Sequence, residues 1–300
     1  MLVLIAGITG MCGQAVAKAA LSQGHKVRGS GRSPDKLDSK TASQLEGFVQ
    51  TKDMLDTAAL DKAVSGVDAV VCALNNAPEV IVAGQLALLW AAERAGVKIF
   101  HAASWNYDWT KLQPGDHENY DAYLAFKRTA ELTSAIKLIY GFTGGILEWS
   151  WYYSDRGTPI DTKSRTISYF GDGTQQSIWI TVDDLTAYTL KAITAPEAAN
   201  GGNYYVESFR CTWLEMGETY GKVRGIQIKG VSVGDENALN GMLQGARQAT
   251  SPRDWRTYIG LAYAKLFFNP ALLHEPTDSK KWSDIKQTSL KEWFEQHPDV

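Results

Sequence analysis

The sequence predicts an α/β fold, a doubly wound parallel sheet, followed by a smaller α+β lobe towards the C-terminus. Three observations support this prediction. The chain opens on a short apolar run, Leu2–Ala6, which is typical of a strand buried on both faces of a parallel sheet. A glycine-rich turn leads from that run into an amphipathic helix. Strand patterns and helix patterns then alternate, with short connections, as far as Tyr140, which favours right-handed crossovers and helices on both faces of the sheet.

The first thirty residues contain a complete strand–helix–strand unit. The turn Gly7-Ile8-Thr9-Gly10-Met11-Cys12-Gly13 follows the first strand, and Gln14–Gln23 has the apolar spacing of an amphipathic helix. Gly24 suits the left-handed end of that helix, and Lys26–Ser30 returns as a second strand. Because the three glycines stand between a strand and a helix, the unit indicates a Rossmann-type dinucleotide-binding domain rather than a turn without a ligand.

Each glycine of this turn has its own expected role. Gly7 allows a tight turn, Gly10 lets the backbone approach a pyrophosphate, and Gly13 lets the helix pack closely on the sheet. The N-terminus of the helix supplies N–H donors to the anion. The cofactor contacts predicted in the turn are Gly7, Thr9, Gly10, Met11, Cys12 and Gly13.

The end of the second strand indicates NADP(H) rather than NAD(H). An NAD site usually has an acidic residue there, whereas an NADP site has an arginine nearby. No carboxylate precedes Arg32 in this stretch. We expect the Arg32 guanidinium, the Ser33 hydroxyl and the Lys36 ammonium to bind the 2′-phosphate. The alternative is that Arg32 and Lys36 are solvated surface charges.

The next two predicted strands complete the expected cofactor site. Leu45–Gln50 is the third strand and Asp68–Leu74 the fourth. Asp53, after the third strand, either accepts a hydrogen bond from the adenine amino group or caps the following helix. The loop beginning at Asn75 is expected to cover the nicotinamide side. The contacts predicted in this part of the chain are Asp53, Met54, Leu74 and Asn75.

Candidate catalytic residues follow the fifth predicted strand, Val97–Ser104. Tyr123 and Lys127 are four residues apart on a predicted helix and therefore share one face. A neighbouring ammonium favours the phenolate and lowers the pKa of a tyrosine, which suits acid–base catalysis. The same ammonium can hold the cofactor ribose. Ser104, at the strand end, is placed to bind a substrate oxygen. The alternative is an ordinary surface Tyr/Lys pair.

Aromatic residues are numerous, with ten tryptophans and thirteen tyrosines. Several are clustered near predicted strand ends, where they either fill the core or line a flat apolar substrate pocket. The pocket residues predicted on the second alternative are Trp105, Tyr107, Trp149 and Trp151.

Taken together, these motifs resemble the atypical short-chain dehydrogenases, and more narrowly their NmrA-like and isoflavone reductase-like branch. The segment His101–Trp109 resembles fungal members, many of which are similar to oxidoreductases of aromatic polyketide pathways. The resemblance implies an NADP-preferring Rossmann domain, a small C-terminal substrate lobe, and Ser/Tyr/Lys roles for Ser104, Tyr123 and Lys127. Isoflavone reductases rely more on the lysine, so the resemblance leaves open whether Tyr123 or Lys127 transfers the proton.

We therefore expect an NADPH-dependent oxidoreductase that reduces an aromatic, quinone-like, enone or ketone small molecule, in secondary metabolism. The alternatives are a redox-neutral isomerase, dehydratase or cyclase, and a non-catalytic NADP(H)-sensing regulator. The predicted Rossmann domain covers residues 1–147, with 176–198 packing back onto it. The substrate lobe covers residues 148–175 and 199–300.

Composition limits the partners, the cellular location and the metal sites that can be expected. A net charge of −3 gives no reason to expect nucleic acid or an anionic membrane as partner. No signal peptide or stretch of transmembrane length is recognisable, so a cytoplasmic protein is expected. The three cysteines and five histidines show no ligand spacing, and we expect no metal. The expected partners are a small aromatic substrate and, as a possibility, a second copy in a homodimer.

Overall fold

The computed structural model describes residues 1–153 and 159–300, and this part of the chain forms two compact units. The first unit comprises Met1–Trp105, Asn119–Phe142 and Leu185–Tyr204. The second comprises Asn106–Glu118, Thr143–Asp184 and Tyr205–Val300. Residues 154–158 of the predicted lobe lie outside the described residues.

The strands are short, as is usual for α/β proteins. In chain order they are β1 Leu2–Ala6, β2 Lys26–Gly31, β3 Gly47–Gln50, β4 Ala69–Cys72, β5 Ile99–His101, β6 Leu138–Phe142, β7 Gly145–Ile146, β8 Ile160–Asp161, β9 Thr166–Tyr169, β10 Gln176–Ile180, β11 Gly202–Tyr205, β12 Phe209–Thr212 and β13 Lys229–Ser232.

The α-helices alternate with the strands in the first half of the chain and dominate the end. They are α1 Met11–Ser22, α2 Ser39–Gln44, α3 Thr57–Val64, α4 Gln85–Arg94, α5 Glu118–Thr133, α6 Val182–Thr194, α7 Trp213–Arg224, α8 Glu236–Ala249, α9 Ile259–Leu266, α10 Thr277–Lys281 and α11 Leu290–Gln296. Among the helices of the described ranges, none has the length and apolar character needed to cross a bilayer.

The first unit is built on a seven-stranded sheet in the order β11-β6-β5-β4-β1-β2-β3. Strand β1 pairs in parallel with β2 and with β4, so that Ile5 lies opposite both Gly29 and Val71. The strands on either side continue the parallel arrangement through β3, β5 and β6. The strand order reverses between β1 and β4, which is the switch point at which doubly wound sheets bind ligands. The predicted fold class is therefore confirmed.

The units divide the chain at other places than the predicted boundaries. Strand β11 lies in the stretch assigned to the substrate lobe, yet it is the edge strand of the large sheet, beside β6. Its Tyr204 hydroxyl occupies the space that a side chain at Gly141 would need, because a Cβ there would lie 2.3 Å from that oxygen. This match between β11 and β6 joins residues 63 positions apart in the chain (204 − 141), so local sequence patterns do not reveal it.

The second unit contains two three-stranded sheets, in the orders β12-β10-β7 and β13-β9-β8. Strand β10 is antiparallel to β12 and parallel to β7. A core of large apolar side chains packs helices α7 and α11 together; its buried members include Leu147, Trp151, Ile167, Trp179, Met216, Tyr220, Trp293 and Phe294.

Candidate functional site

The turn Gly7–Gly13, called here the cofactor turn, joins β1 to α1 and requires glycine at two positions. Gly7 has a φ of +81°, and a Cβ there would lie 2.5 Å from the Ala73 carbonyl oxygen. A Cβ at Gly13 would lie 2.3 Å from the Gly7 carbonyl oxygen. Gly10 is different, because its nearest neighbour would be at 3.4 Å and the residue is exposed. The backbone at Gly10 is therefore accessible to a ligand.

The first turn of α1 suits an anion. Gly10 is the N-cap residue, in an extended conformation, and it provides no side-chain cap. No acidic residue lies in the first turn, which begins with Met11 and Cys12. The Gln14 side-chain amide donates to the Thr9 carbonyl oxygen at 3.1 Å and so stabilises the turn. Because the helix dipole and the N–H groups both favour negative charge, a pyrophosphate fits here.

The cationic residues after β2 remain available for a phosphate. Arg32 and Lys36 are both exposed, and in the described ranges neither forms a salt bridge. Ser33 precedes the short 3-10 helix Pro34–Lys36 without using its hydroxyl as a cap. Thr9 approaches the end of β2, with its hydroxyl 3.6 Å from the Cβ position at Gly31. The structure thus brings the cofactor turn and the predicted phosphate-binding residues to one edge of the sheet.

The Asp53 side chain is not the cap of the next helix. Its Oδ1 accepts from the Leu55 N–H at 2.7 Å in a local turn, and the residue is exposed. Helix α3 is instead capped by Asp56, which accepts from the Ala59 N–H at 3.2 Å. The capping alternative for Asp53 is therefore wrong, and its contact with adenine stays a prediction.

The residues after β4 complete the same edge of the sheet. Leu74 is half-buried and Asn75 is exposed, with the Asn75 Oδ1 accepting from the Ala77 N–H at 3.0 Å. Met54 packs against Gly84, the N-cap residue of α4, since a Cβ at Gly84 would lie 3.0 Å from the Met54 Cβ. The predicted cofactor contacts from β1, β2 and β4 therefore share the carboxyl ends of neighbouring strands.

The segment Ala102–Trp105, called here the β5 extension, is held by hydrogen bonds at successive residues. The Ser104 hydroxyl is buried; it donates to the Ala102 carbonyl oxygen at 3.1 Å and accepts from the Gly141 N–H at 2.8 Å. The Ala103 N–H donates to the Gln85 side-chain carbonyl oxygen at 2.6 Å. Ser104 thus fixes backbone in the described structure, and its role towards a substrate oxygen stays a prediction.

Gln85 is a residue that the sequence analysis missed. A π-helical turn, Val80–Gly84, leads directly into α4. Gln85 begins α4, is fully buried, and also donates to the Ile81 carbonyl oxygen at 3.4 Å. π-turns inside helices often occur at functional sites. The only signal in the sequence is a glutamine on an otherwise apolar helix face.

Tyr123 and Lys127 lie one turn apart on α5, as predicted. Tyr123 is buried, with its ring edge-on to Tyr120 at a centroid distance of 6.0 Å. The Lys127 ammonium is half-exposed, forms a salt bridge with the Glu131 carboxylate, and lies 5.9 Å from the centroid of the Tyr140 ring. A charged, accessible donor therefore lies one helical turn along α5 from the buried Tyr123 phenol. Their joint role in proton transfer stays a prediction.

Two of the four predicted pocket aromatics pack in the second unit. Tyr107 is buried and donates from its hydroxyl to the Ile178 carbonyl oxygen at 3.3 Å. Burial also raises the pKa of Tyr107 far above its ordinary value. Trp151 is buried and stacks on Tyr220 at 5.8 Å, inside the apolar core. The core alternative describes both residues.

The other two predicted pocket aromatics have accessible surface. Trp149, in the second unit, is 52% exposed. Trp105, in the first unit, is half-buried at the end of the β5 extension, where its indole N–H donates to the Thr189 hydroxyl at 3.0 Å. Contact of either ring with a substrate stays a prediction.

Comparison with known proteins gives the class. Residues 7–194 match a family model described as NAD(P)H-binding, which covers more than half of the chain, so the chain belongs to this family. A bifunctional pinoresinol-lariciresinol reductase of Linum corymbulosum is 24% identical over 98% of this chain and 97% of its own length.

Solved structures agree with the fold. An isoflavone reductase is 19% identical and has a TM-score of 0.77, with 98% of each chain covered. The binary complex of Vitis vinifera leucoanthocyanidin reductase with NADPH is 21% identical and has a TM-score of 0.78, with 99% of each chain covered. The predicted resemblance to isoflavone reductase-like proteins, the nicotinamide dinucleotide cofactor and the oxidoreductase class are thereby confirmed.

A metal centre finds no support in the described residues, where no three His, Cys, Asp or Glu side chains are grouped to hold an ion. Cys12, Cys72 and Cys211 form no disulfide.

Proposed function

We propose that this protein is an NADPH-dependent reductase of small aromatic ketones, enones or quinone-like compounds. The observation that carries the proposal is the position of Lys127. Its accessible ammonium lies one helical turn from Tyr123, in the same unit as the cofactor turn. The relatives named above are reductases of aromatic compounds by their names, which supports the substrate class.

The preference for NADPH over NADH is proposed from the residues after β2. The 2′-phosphate carries charge that the ribose hydroxyl lacks, and a planar guanidinium can bind it with two parallel hydrogen bonds. Arg32 is exposed and forms no salt bridge in the described ranges, and Lys36 adds a second cation nearby in the chain. No acidic side chain precedes Arg32 in the strand to repel the phosphate.

The cofactor turn and the residues after β2 would hold NADPH, which would supply a hydride to the electrophilic carbon of the substrate. A hydride carries one proton and two electrons, so a second proton is needed to complete the reduction. We assign the delivery of that proton to Lys127, one helical turn from Tyr123 on α5, and bulk water then reprotonates the amine. The Lys127 charge also favours the transient negative charge on the substrate oxygen.

The test is nicotinamide absorbance with purified protein, NADPH and a panel of aryl ketones, enones and quinones. We expect oxidation that depends on one panel member. Lys127→Met should lower kcat by roughly 10²–10⁴, the usual contribution of a general acid, whereas the loss of its expected contact with the cofactor ribose should raise the Kd for NADPH by a much smaller factor. Arg128→Met, on an exposed neighbouring position of α5, is the matched control.

Tyr123→Phe separates the two candidate acids. A loss in Tyr123→Phe comparable to that in Lys127→Met assigns the phenol a direct part, whereas full activity in Tyr123→Phe assigns the proton to Lys127 alone. Full activity in both variants, or substrate turnover without NADPH consumption, would contradict the proposed mechanism.

A homodimer is proposed on separate grounds. Two apolar side chains are exposed on adjacent helices of the first unit: Trp90, at 39%, and Leu132, at 68%. Their proximity follows from the hydrogen bond of the Trp90 indole N–H to the Thr133 hydroxyl at 3.2 Å. Burying such a patch favours association. Light scattering should report a dimer that Leu132→Glu dissociates and Leu55→Glu does not; a wild-type monomer would contradict the proposal.

A further inference from the structure

The Trp105 indole is held by two contacts within the first unit. Its N–H donates to the Thr189 hydroxyl at 3.0 Å, and its ring lies against the His101 imidazole, with 5.2 Å between centroids and 31° between planes. One contact fixes the edge of the indole and the other fixes its face. The ring therefore has a single defined plane although it is only half-buried.

The Thr189 hydroxyl is arranged to accept from that indole. Thr189 is fully buried in α6, and its hydroxyl donates to the Leu185 carbonyl oxygen at 2.7 Å. Since a hydroxyl has one proton, the lone pairs of the oxygen are left to accept. The Trp105 N–H uses one of them, and the Tyr204 hydroxyl lies 3.3 Å away.

His101 is itself held by Tyr204. It is fully buried at the end of β5, with its Nε2 2.8 Å from the Tyr204 hydroxyl oxygen. Burial lowers the pKa of His101 to about 3, so the imidazole is neutral at ordinary pH and presents an uncharged face to the indole. Tyr204 reaches this place because Gly141 has no side chain. Four elements, β5, β6, β11 and α6, thus converge on one tryptophan.

The position of the indole indicates what it does. It stands just beyond β5, and parallel sheets of this class bind their ligands outside the carboxyl ends of the strands. Trp109, by contrast, is fully buried in the second unit and offers no accessible face. A rigid, half-exposed aromatic face binds another flat ring with little further loss of conformational entropy.

We propose that Trp105 is the specificity-determining residue for flat aromatic substrates, and that Thr189 and His101 are positioning residues that act through it. The inference rests on the proposed function, because it names the surface on which the aromatic substrate of the reductase lies. It assigns Thr189 and His101 no contact with the substrate.

The test uses two enones that differ in one group. Benzylideneacetone carries a phenyl ring where ethylideneacetone carries a methyl group. Wild-type protein should prefer the phenyl compound. Trp105→Leu should raise the KM for benzylideneacetone about fivefold to tenfold, the size expected from one aromatic pair, and should leave the KM for ethylideneacetone and the Kd for NADPH unchanged.

Thr189 is tested through a double-mutant cycle. Thr189→Val removes the acceptor at constant volume and should raise the KM for benzylideneacetone about threefold, the effect of one neutral hydrogen bond, whereas Thr189→Ser should restore it. In the Trp105→Leu background, Thr189→Val should have no further effect on KM. A merely structural role would persist in both backgrounds, and that result would overturn the proposal for Thr189.

The closing measurement separates this inference from the proposed function. Calorimetric titration of benzylideneacetone into the protein–NADP⁺ complex reports binding whether or not turnover occurs. Binding that Trp105→Leu weakens, without turnover in wild type, would overturn the proposed reductase activity on this compound and keep the aromatic site. Equal affinity of wild type for both enones, including no binding of either, would overturn the inference.

Discussion

The cofactor turn and the β5 extension lie at the same edge of the large sheet but are held in place by different means. The cofactor turn is shaped by its own backbone: Gly7 and Gly13 fold it against itself, and a helix beginning four residues after Gly7 provides the N–H groups. The β5 extension is shaped by side chains distant in the chain, among them Gln85 and Thr189. The comparison teaches that the conformation of one surface can be determined by residues next to each other in the chain, whereas the conformation of a neighbouring surface depends on the tertiary fold.

Substitutions in the cofactor turn should have the largest effect on stability, because a side chain at Gly13 has no space. Gly13→Ala places a Cβ 2.3 Å from the Gly7 carbonyl oxygen, and such overpacking should lower the free energy of unfolding by about 3 kcal/mol or more. Gly10→Ala has its nearest neighbour at 3.4 Å, so we expect a stable protein whose Kd for NADPH rises about tenfold, close to 1.4 kcal/mol.

Urea unfolding and NADPH titration measure the two effects. Gly47→Ala is the control, because a Cβ there meets nothing within 4 Å. Equal stability of Gly13→Ala and Gly47→Ala would show that the turn is not shaped by its backbone.

In the β5 extension the corresponding change is Gln85→Leu. It leaves the buried Ala103 N–H without its acceptor, which should cost about 1–3 kcal/mol of unfolding free energy, and it should lower kcat without affecting the Kd for NADPH. Gln44→Leu, at an exposed helical position, is the control and should change stability by less than about 0.5 kcal/mol. A Gln85→Leu variant as stable and active as wild type would show that this hydrogen bond does not hold the segment.

Acid should destabilise the protein through His101, the buried imidazole that precedes the β5 extension. The pKa of His101 lies at about 3 in the folded protein, below the ordinary 6.5, because of burial. Between these values the unfolded chain binds a proton that the folded chain does not, so stability falls as the pH drops below 6.5. His101 alone should account for roughly 2 kcal/mol by pH 5.

His117 and His274, whose pKa values are also lowered by burial, add to the loss in the same direction. The measurement is urea unfolding at several pH values. His101→Gln should lose less unfolding free energy than wild type as the pH falls. His25→Gln, at a more exposed position, should lose nearly as much as wild type. Identical slopes for wild type and His101→Gln would contradict a neutral buried imidazole.

An effect of the same size as that of Gly10→Ala is expected at the outer end of the cofactor site. Arg32→Gln should weaken NADPH binding about tenfold, the lower end for a charge-assisted hydrogen bond, and leave NADH binding unchanged. Arg253→Gln removes an exposed arginine of the second unit and serves as control for net charge. A parallel loss of affinity for both dinucleotides would contradict the assignment of Arg32 to the 2′-phosphate.

The same comparison explains how far sequence reasoning reached. The glycine spacing, the parallel strands up to β6 and the helix that carries Tyr123 and Lys127 follow from short-range patterns, and the structure has each of them. Local patterns predict strand β11 in the lobe, because its pairing with β6 depends on Tyr204 fitting over Gly141, which is distant in the chain. Gln85 and Thr189 were missed for a similar reason, since each looks like an ordinary helical residue until its partner in the β5 extension is known.

The aromatic residues show the limit most clearly. Trp105 and Trp151 are the same residue type beside predicted strand ends, yet one is half-buried with a fixed indole and the other packs inside an apolar core. Periodicity predicts which residues are apolar, but not which apolar residue is left with an accessible face. That distinction depends on contacts between elements far apart in the chain.

Transfer of deuterium tests the central claim most directly. NADPH labelled with deuterium at the transferring position of the nicotinamide is incubated with the protein and the panel member that it reduces, and the product is analysed by mass spectrometry. The account predicts one deuterium on the reduced carbon of the product, together with formation of one equivalent of NADP⁺. Product that forms without deuterium, or with NADPH unconsumed, would contradict a reductase.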